Sequence, residues 1–197
     1  MRTAGARFDS RLLNAPLPHA QPAPMRRSLA AALRSWGLAG TDAALSQLQD
    51  HPNPGAFAVA VLTGPNAQDK LAWTHAQALQ WDGSDLLRAA TSRMAALRLR
   101  LAVKWADVCW WQPRPADMPW DCGALLLTPA ALAALPSFRP RRPTLMWLDP
   151  PDETLLLDAV ATLAGMQRHF RYAVRLLVLA PTLSPGLKAA GATELRW

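Results

Sequence analysis

The stretch from Ala56 to Leu79 constrains this chain most. Residues 57–63, FAVAVLT, are apolar on both alternations. A strand with one wet face alternates polar and apolar side chains, whereas a strand covered on both faces is apolar throughout, so this run reads as a central strand between two helical layers. It stops at Gly64-Pro65-Asn66. A helix over about 67–80 follows, with Leu71, His75, Ala78 and Leu79 set along one inward side. A strand covered on both faces and continued by a helix points to parallel strands, because their crossover helices supply both covers.

The rest of the chain repeats that alternation. Short apolar runs at 108–111, 123–127, 144–148, 174–179 and 193–197 read as strands, separated by helical patterns at 85–102, 129–135, 153–171 and 185–190. Ser84 caps the longest helix, which points Leu86, Leu87, Ala90, Met94, Leu97 and Leu101 inward. Ahead of the first strand, 25–36 and 41–49 read as short amphipathic helices, the former stopped by Gly37. The fold class is therefore α/β, a mainly parallel central sheet of about five to six strands with helices on both faces, preceded by a small helical N-terminal segment. Three regions follow: a basic, proline-containing and disordered arm at 1–24, a helical preface at 25–54, and an α/β domain at 55–197.

Composition bounds the function. The chain of 197 residues is 51% apolar and lacks a run long enough to span a bilayer, so no membrane span is expected. Cys109 and Cys122 have no second pair and no clustered histidines beside them, which excludes familiar closed zinc sites and favours a reduced, cytoplasmic setting; no metal is expected. The net charge of +7 leans on the N-terminus, where Arg2, Arg7, Arg11, Arg26, Arg27 and Arg34 face only Asp9. A basic chain attracts polyanions without needing a specific site.

The turn at 64–71, G-P-N-A-Q-D-K-L, has the frame of a phosphate-binding loop, G-x-x-x-x-G-K-[ST], with Gly64 and Lys70 in place. Asp69 stands where the second glycine belongs, and Leu71 where the hydroxyl belongs. Further on, Thr144-Leu-Met-Trp-Leu-Asp149 is a buried strand ending in a carboxylate. Together these segments resemble a degenerate P-loop NTPase domain, a pseudo-ATPase. The resemblance implies that Gly64, Lys70 and Asp149 are the vestigial positions of a nucleotide and magnesium site. With a carboxylate facing the phosphates and no hydroxyl for magnesium, it implies neither catalysis nor a bound cofactor. The same residues also read locally. Asn66 and Asp69 form a capping-box variant, and Asp149-Pro-Pro-Asp152-Glu153 is a strand-to-helix turn whose acids cap the next helix. The local reading is the simpler.

No nucleophile setting accompanies His51, His75 or His169, and Cys109 lies inside an apolar run, although Cys122, nearer a loop, has a more reactive position. No catalytic residue is assigned. Trp110, Trp111 and Trp120 border a proline-rich loop suited to anchoring a protein partner. The expected function is a non-enzymatic subunit or scaffold of a larger protein assembly. Two alternatives stand beside it. One is nucleic-acid association through the arm and Arg93, Arg100, Lys104, Arg139, Arg141 and Arg142. The other is a nucleotide-binding switch or ATPase. Homo-oligomeric state is left open.

Overall fold

The computed structural model describes residues 26–38, 56–83, 92, 94, 97, 98, 101, 105, 119–140, 142–149 and 152–197. The doubly apolar run becomes strand β1, Phe57–Thr63, buried from Val59 onward. Around it lie β2 (Asp121–Ala124), β3 (Thr144–Leu148), β4 (Val174–Ala180) and β5 (Thr193–Arg196). These described strands form one all-parallel sheet in the order β2-β3-β4-β1-β5. The chain is an α/β protein.

Side-chain alternation sorts the core into two layers. Val59, Val61, Met146, Leu148, Leu176 and Val178 face α4 (Glu153–Gly165), whose Leu156, Ala159, Val160 and Leu163 meet them, and Leu187 of α5 (Pro185–Ala189) joins the same layer. Leu135, just after α3 (Pro129–Ala134), packs there too. The other layer unites Ala60, Leu62, Leu145, Trp147, Leu177 and Leu179 with Trp73 and Ala78 of α2 (Ala67–Trp81) and Leu29 and Leu33 of α1 (Arg27–Leu38).

This partition follows from connection geometry. From β1 the chain moves to the far edge, whereas β2, β3 and β4 each step back the other way. Right-handed crossovers running in opposite directions place their helices on opposite faces. Neighbouring β1 and β4 therefore send their helices apart, and the crevice at their carboxyl ends is the topological switch point, where open α/β sheets seat ligands.

Several expectations shift. Helix α1 packs on the sheet: Leu29 and Leu33 belong to the core, and the buried Arg175 of β4 donates through Nε to Gly37 O at 3.1 Å. Gly37 does not end α1, which runs to Leu38; its missing side chain admits the Trp81 ring, which a Cβ there would meet at 2.2 Å. Helix α4 ends at Gly165 rather than near 171, passing into a 3-10 turn at Gln167–His169. Helix α2 buries Lys70, Trp73, Thr74, Gln77, Ala78 and Leu79 and leaves Leu71 exposed, so its inward face is rotated from the expected one. The inward assignment of Met94, Leu97 and Leu101 is overturned: all three are exposed. The arm, the 41–49 helix and the 108–111 strand lie outside the described residues.

Candidate functional site

Everything the motif singled out arrives at the carboxyl end of the sheet. Gly64 follows β1, Lys70 occupies the first turn of α2, and Asp149 follows β3. Register aligns Val61, Val178 and Leu148 across β1, β4 and β3, so Asp149 stands one strand removed from β1, at the same end of the sheet. All the described strands point the same way. The tips of β1 and β3 share one end of the sheet, with β4 between them.

Lys70 decides what this corner does. Its residue exposure is 2%, and its Nζ donates to Gly64 O at 2.8 Å and to Ala180 O at 2.6 Å. Those carbonyls sit just beyond β1 and at the end of β4, the two strands that border the switch point. The ammonium therefore joins the two walls of the crevice. Burial pushes the Lys70 pKa below its ordinary value, and the negative charge of Asp149 partly restores it. Asp149 is exposed, and its charge acts through space toward the buried ammonium.

The turn is shaped for capping. Asn66 accepts at its side-chain oxygen from the Asp69 backbone N–H at 3.2 Å, which satisfies one orphan donor of α2. The Asp69 carboxylate returns the contact differently from a standard capping box, accepting at 2.8 Å from the Asn66 side-chain amide rather than its backbone. Helix α2 starts only three residues after Gly64, and Lys70 N already closes the first helical bond onto Asn66 O. Asp152 likewise caps α4, accepting from the Thr154 N–H at 2.9 Å.

Trp197 adds a contact that the motif does not foretell. Its backbone N–H donates to Thr63 O at 2.8 Å, extending the β5 pairing, and its side chain lies against Gly64. A Cβ on Gly64 would meet the Trp197 Cβ at 2.6 Å, and Gly64 has a φ of 152°. Only glycine suits both conditions. The Trp197 ring meets Trp73 edge-on at 5.8 Å, and the Arg26 guanidinium sits 4.1 Å from its centroid. Nearby, the Thr63 hydroxyl donates to the Glu194 carboxylate at 3.0 Å, a bond that with Arg196 holds Glu194 below the usual carboxylate range.

The other candidates scatter. Trp120 is 6% exposed, its ring lies 4.9 Å from that of Trp81, and its backbone N–H donates to Trp81 O. Trp110 and Trp111 lie outside the described residues, as do Arg93, Arg100, Lys104 and Arg141. Arg139 is exposed and bends back onto Pro136 O and Phe138 O, while Arg142 is half-buried beside β3. These two do not form a continuous basic face with the switch point. Cys122 is buried in β2, and burial together with Asp82 and Asp121 pushes its thiol pKa well up, so it is not the reactive cysteine its position suggested. His75 packs edge-on against Trp147 at 5.3 Å, and burial lowers its pKa. Among the described residues, no cluster of three or more His, Cys, Asp or Glu is placed to hold a metal ion. No described helix is long and apolar enough to cross a membrane.

Two contributors escaped the sequence. Arg175 left a trace as the one charge in an otherwise apolar strand. Trp197 left none, since its role depends on β5 pairing beside β1.

No protein-family model matches the chain, and comparisons with curated proteins and with solved structures likewise give no match.

Proposed function

We propose that this chain is a non-catalytic component of a larger protein assembly, built on a degenerate P-loop-like fold whose phosphate lysine has become a structural clamp. The observation that carries this reading is the pair of hydrogen bonds from Lys70 Nζ to Gly64 O and Ala180 O. A phosphate lysine must present its ammonium to the ligand. Here two of its three donors are spent on the backbone carbonyls of the half-buried Gly64 and Ala180. The asparagine-capped turn, the Trp197 side chain against Gly64 and the exposed Leu71 in place of a magnesium-binding hydroxyl support the same reading. A reducing, cytoplasmic setting accords with it, since Cys122 is buried and unpaired.

The test is recovery of the tagged full-length chain from a native extract treated with nuclease. A fixed-stoichiometry complex with another protein is expected. Recovery of the chain alone, or loss of its partner on nuclease treatment, contradicts the assembly. ATP or GTP hydrolysis by the purified protein, abolished by Lys70→Ala, reverses the non-catalytic assignment.

A further inference from the structure

Two turns meet at the amino end of the sheet, opposite the switch point. One follows α3 as the 3-10 turn Leu135–Ser137 and leads into β3; the other follows α4 as the 3-10 turn Gln167–His169 and leads into β4. The rings of Phe138 and Phe170 pack edge-on at 6.1 Å and join them. Consecutive Cα atoms are about 3.8 Å apart, so Arg139, Arg168, His169 and Arg171, all adjacent or nearly adjacent to one of those rings, lie within about 25 Å of one another. All four are exposed.

The stretches that build this corner carry charge of one sign. No acidic residue occurs from Gly123 to Leu148 or from Ala159 to Thr193. Arg139 donates to Pro136 O and Phe138 O through Nη1 alone, which fixes its guanidinium and leaves the other nitrogens for a ligand. Arg168 uses only Nε, toward His169 Nε2 at 3.4 Å. The Arg171 guanidinium lies 5.7 Å from the centroid of the half-buried Tyr172 ring. Arg142 is not part of the patch, because it acts on the buried Cys122 alongside the carboxylates of Asp82 and Asp121.

We propose that this amino-end patch binds the phosphate backbone of single-stranded nucleic acid. Its charges are arginines, whose planar fork pairs two phosphate oxygens at once. The half-buried rings of Phe138 and Tyr172 stand among them, and aromatic side chains hold unpaired bases by stacking. A pair of turns offers neither a helix nor a ribbon to a duplex groove, so a flexible strand is the better fit. Among the described residues of 135–142 and 166–172 no large apolar side chain is exposed, which leaves nothing to enter a lipid bilayer. The patch and the Lys70 corner occupy opposite ends of the sheet, so this activity is independent of the assembly reading.

The probe is a labelled oligothymidylate of about 20 nucleotides, titrated against the full-length chain by fluorescence anisotropy from about 50 to about 200 mM salt. Saturable binding that weakens steeply with salt is expected. Arg168→Gln combined with Arg171→Gln should weaken it about tenfold and Arg139→Gln several-fold, each lost contact lowering the slope of log affinity against log salt by about 0.7. Melting of the variants should match wild type, because these side chains are exposed. Lys188→Gln, which removes an exposed charge at the other end of the sheet, should change affinity by less than about twofold. No binding at the lowest salt, or equal losses from Lys188→Gln and the arginine variants, overturns the proposal. So does wild-type binding to a polyglutamate peptide or to phosphatidylserine vesicles that matches the oligonucleotide in strength, which would assign the patch to an acidic protein or a membrane surface.

Discussion

The two faces of the sheet differ in the chemistry they bury. The α4–α5 side is an aliphatic layer of Val, Leu, Ala and Met with Phe170 at its margin. The α1–α2 side holds Trp36, Trp73, Trp81, Trp120, Trp147 and Trp197, together with Lys70, Thr74, Gln77 and Arg175. Among the described residues, the buried side-chain atoms lacking a hydrogen-bond partner include Trp36 Nε1, Thr74 Oγ1 and Trp147 Nε1, all on this second side. The aliphatic face stabilises by close packing, while the aromatic face carries polar groups that packing alone does not explain. Lys70 and Trp197, which flank the switch-point corner, belong to that polar face.

The contrast predicts a graded set of mutational effects. The largest belongs to the aliphatic layer: Leu163→Ala, at a fully buried helix position, should cost about 2–5 kcal/mol in denaturant unfolding through lost transfer energy and a cavity. A cost below that range would show a loosely packed layer. On the other face, Arg175→Ala should cost about 2–4 kcal/mol, because it leaves Gly37 O without its buried donor and α1 without its tether. Arg175→Met should recover the part of this that comes from filled volume, since an apolar side chain of similar length avoids the desolvation that lowers the arginine's pKa to about 10, while still leaving Gly37 O without its donor. Failure of methionine to rescue would mean that the hydrogen bonds, rather than the filled volume, hold α1.

Thr74→Val reverses the sign. The hydroxyl is buried without a partner, so the near-isosteric valine should raise stability by up to about 1 kcal/mol, read as a higher denaturation midpoint at unchanged slope. Destabilisation would mean that the hydroxyl has a bond on this face after all. The smallest effect is acid sensitivity at His75. Burial lowers its folded pKa below the unfolded 6.5, so as pH falls through 6.5 the unfolded state takes up the proton first. Stability is complete above 6.5 and declines on acidification, and His75→Gln should flatten the melting temperature between about pH 7.5 and about pH 5.5. An identical slope in the variant would assign the acid response to other groups.

What the sequence disclosed follows the same division. Residues 57–63 and 144–148 match β1 and β3 residue for residue, because two-sided burial leaves no polar position at which to misplace an end. Asn66 and Asp152 were legible as caps, since capping is a local exchange between neighbours. The face of α2 was not. Periodicity counts lysine as polar, and Lys70 is buried only because β4 brings the Ala180 carbonyl, 110 residues away, beside β1. Met94, Leu97 and Leu101 show the complementary difficulty: a heptad-like spacing reveals an apolar face without saying whether the chain itself covers it. The candidate site was thus readable as a place and as three residues, while the bonds of Lys70 and the seating of Trp197 against Gly64 depended on strand order.

The central claim is that Lys70 holds the sheet together instead of holding a phosphate. Its most direct measurement is the melting temperature of wild type and Lys70→Ala, each with and without magnesium-ATP. Nucleotide should leave the wild type unmoved, and Lys70→Ala should lower stability by about 1–3 kcal/mol as two half-buried carbonyls lose their donor. A nucleotide-induced rise in the wild type that disappears in Lys70→Ala, with little loss of stability in the unliganded variant, would contradict it.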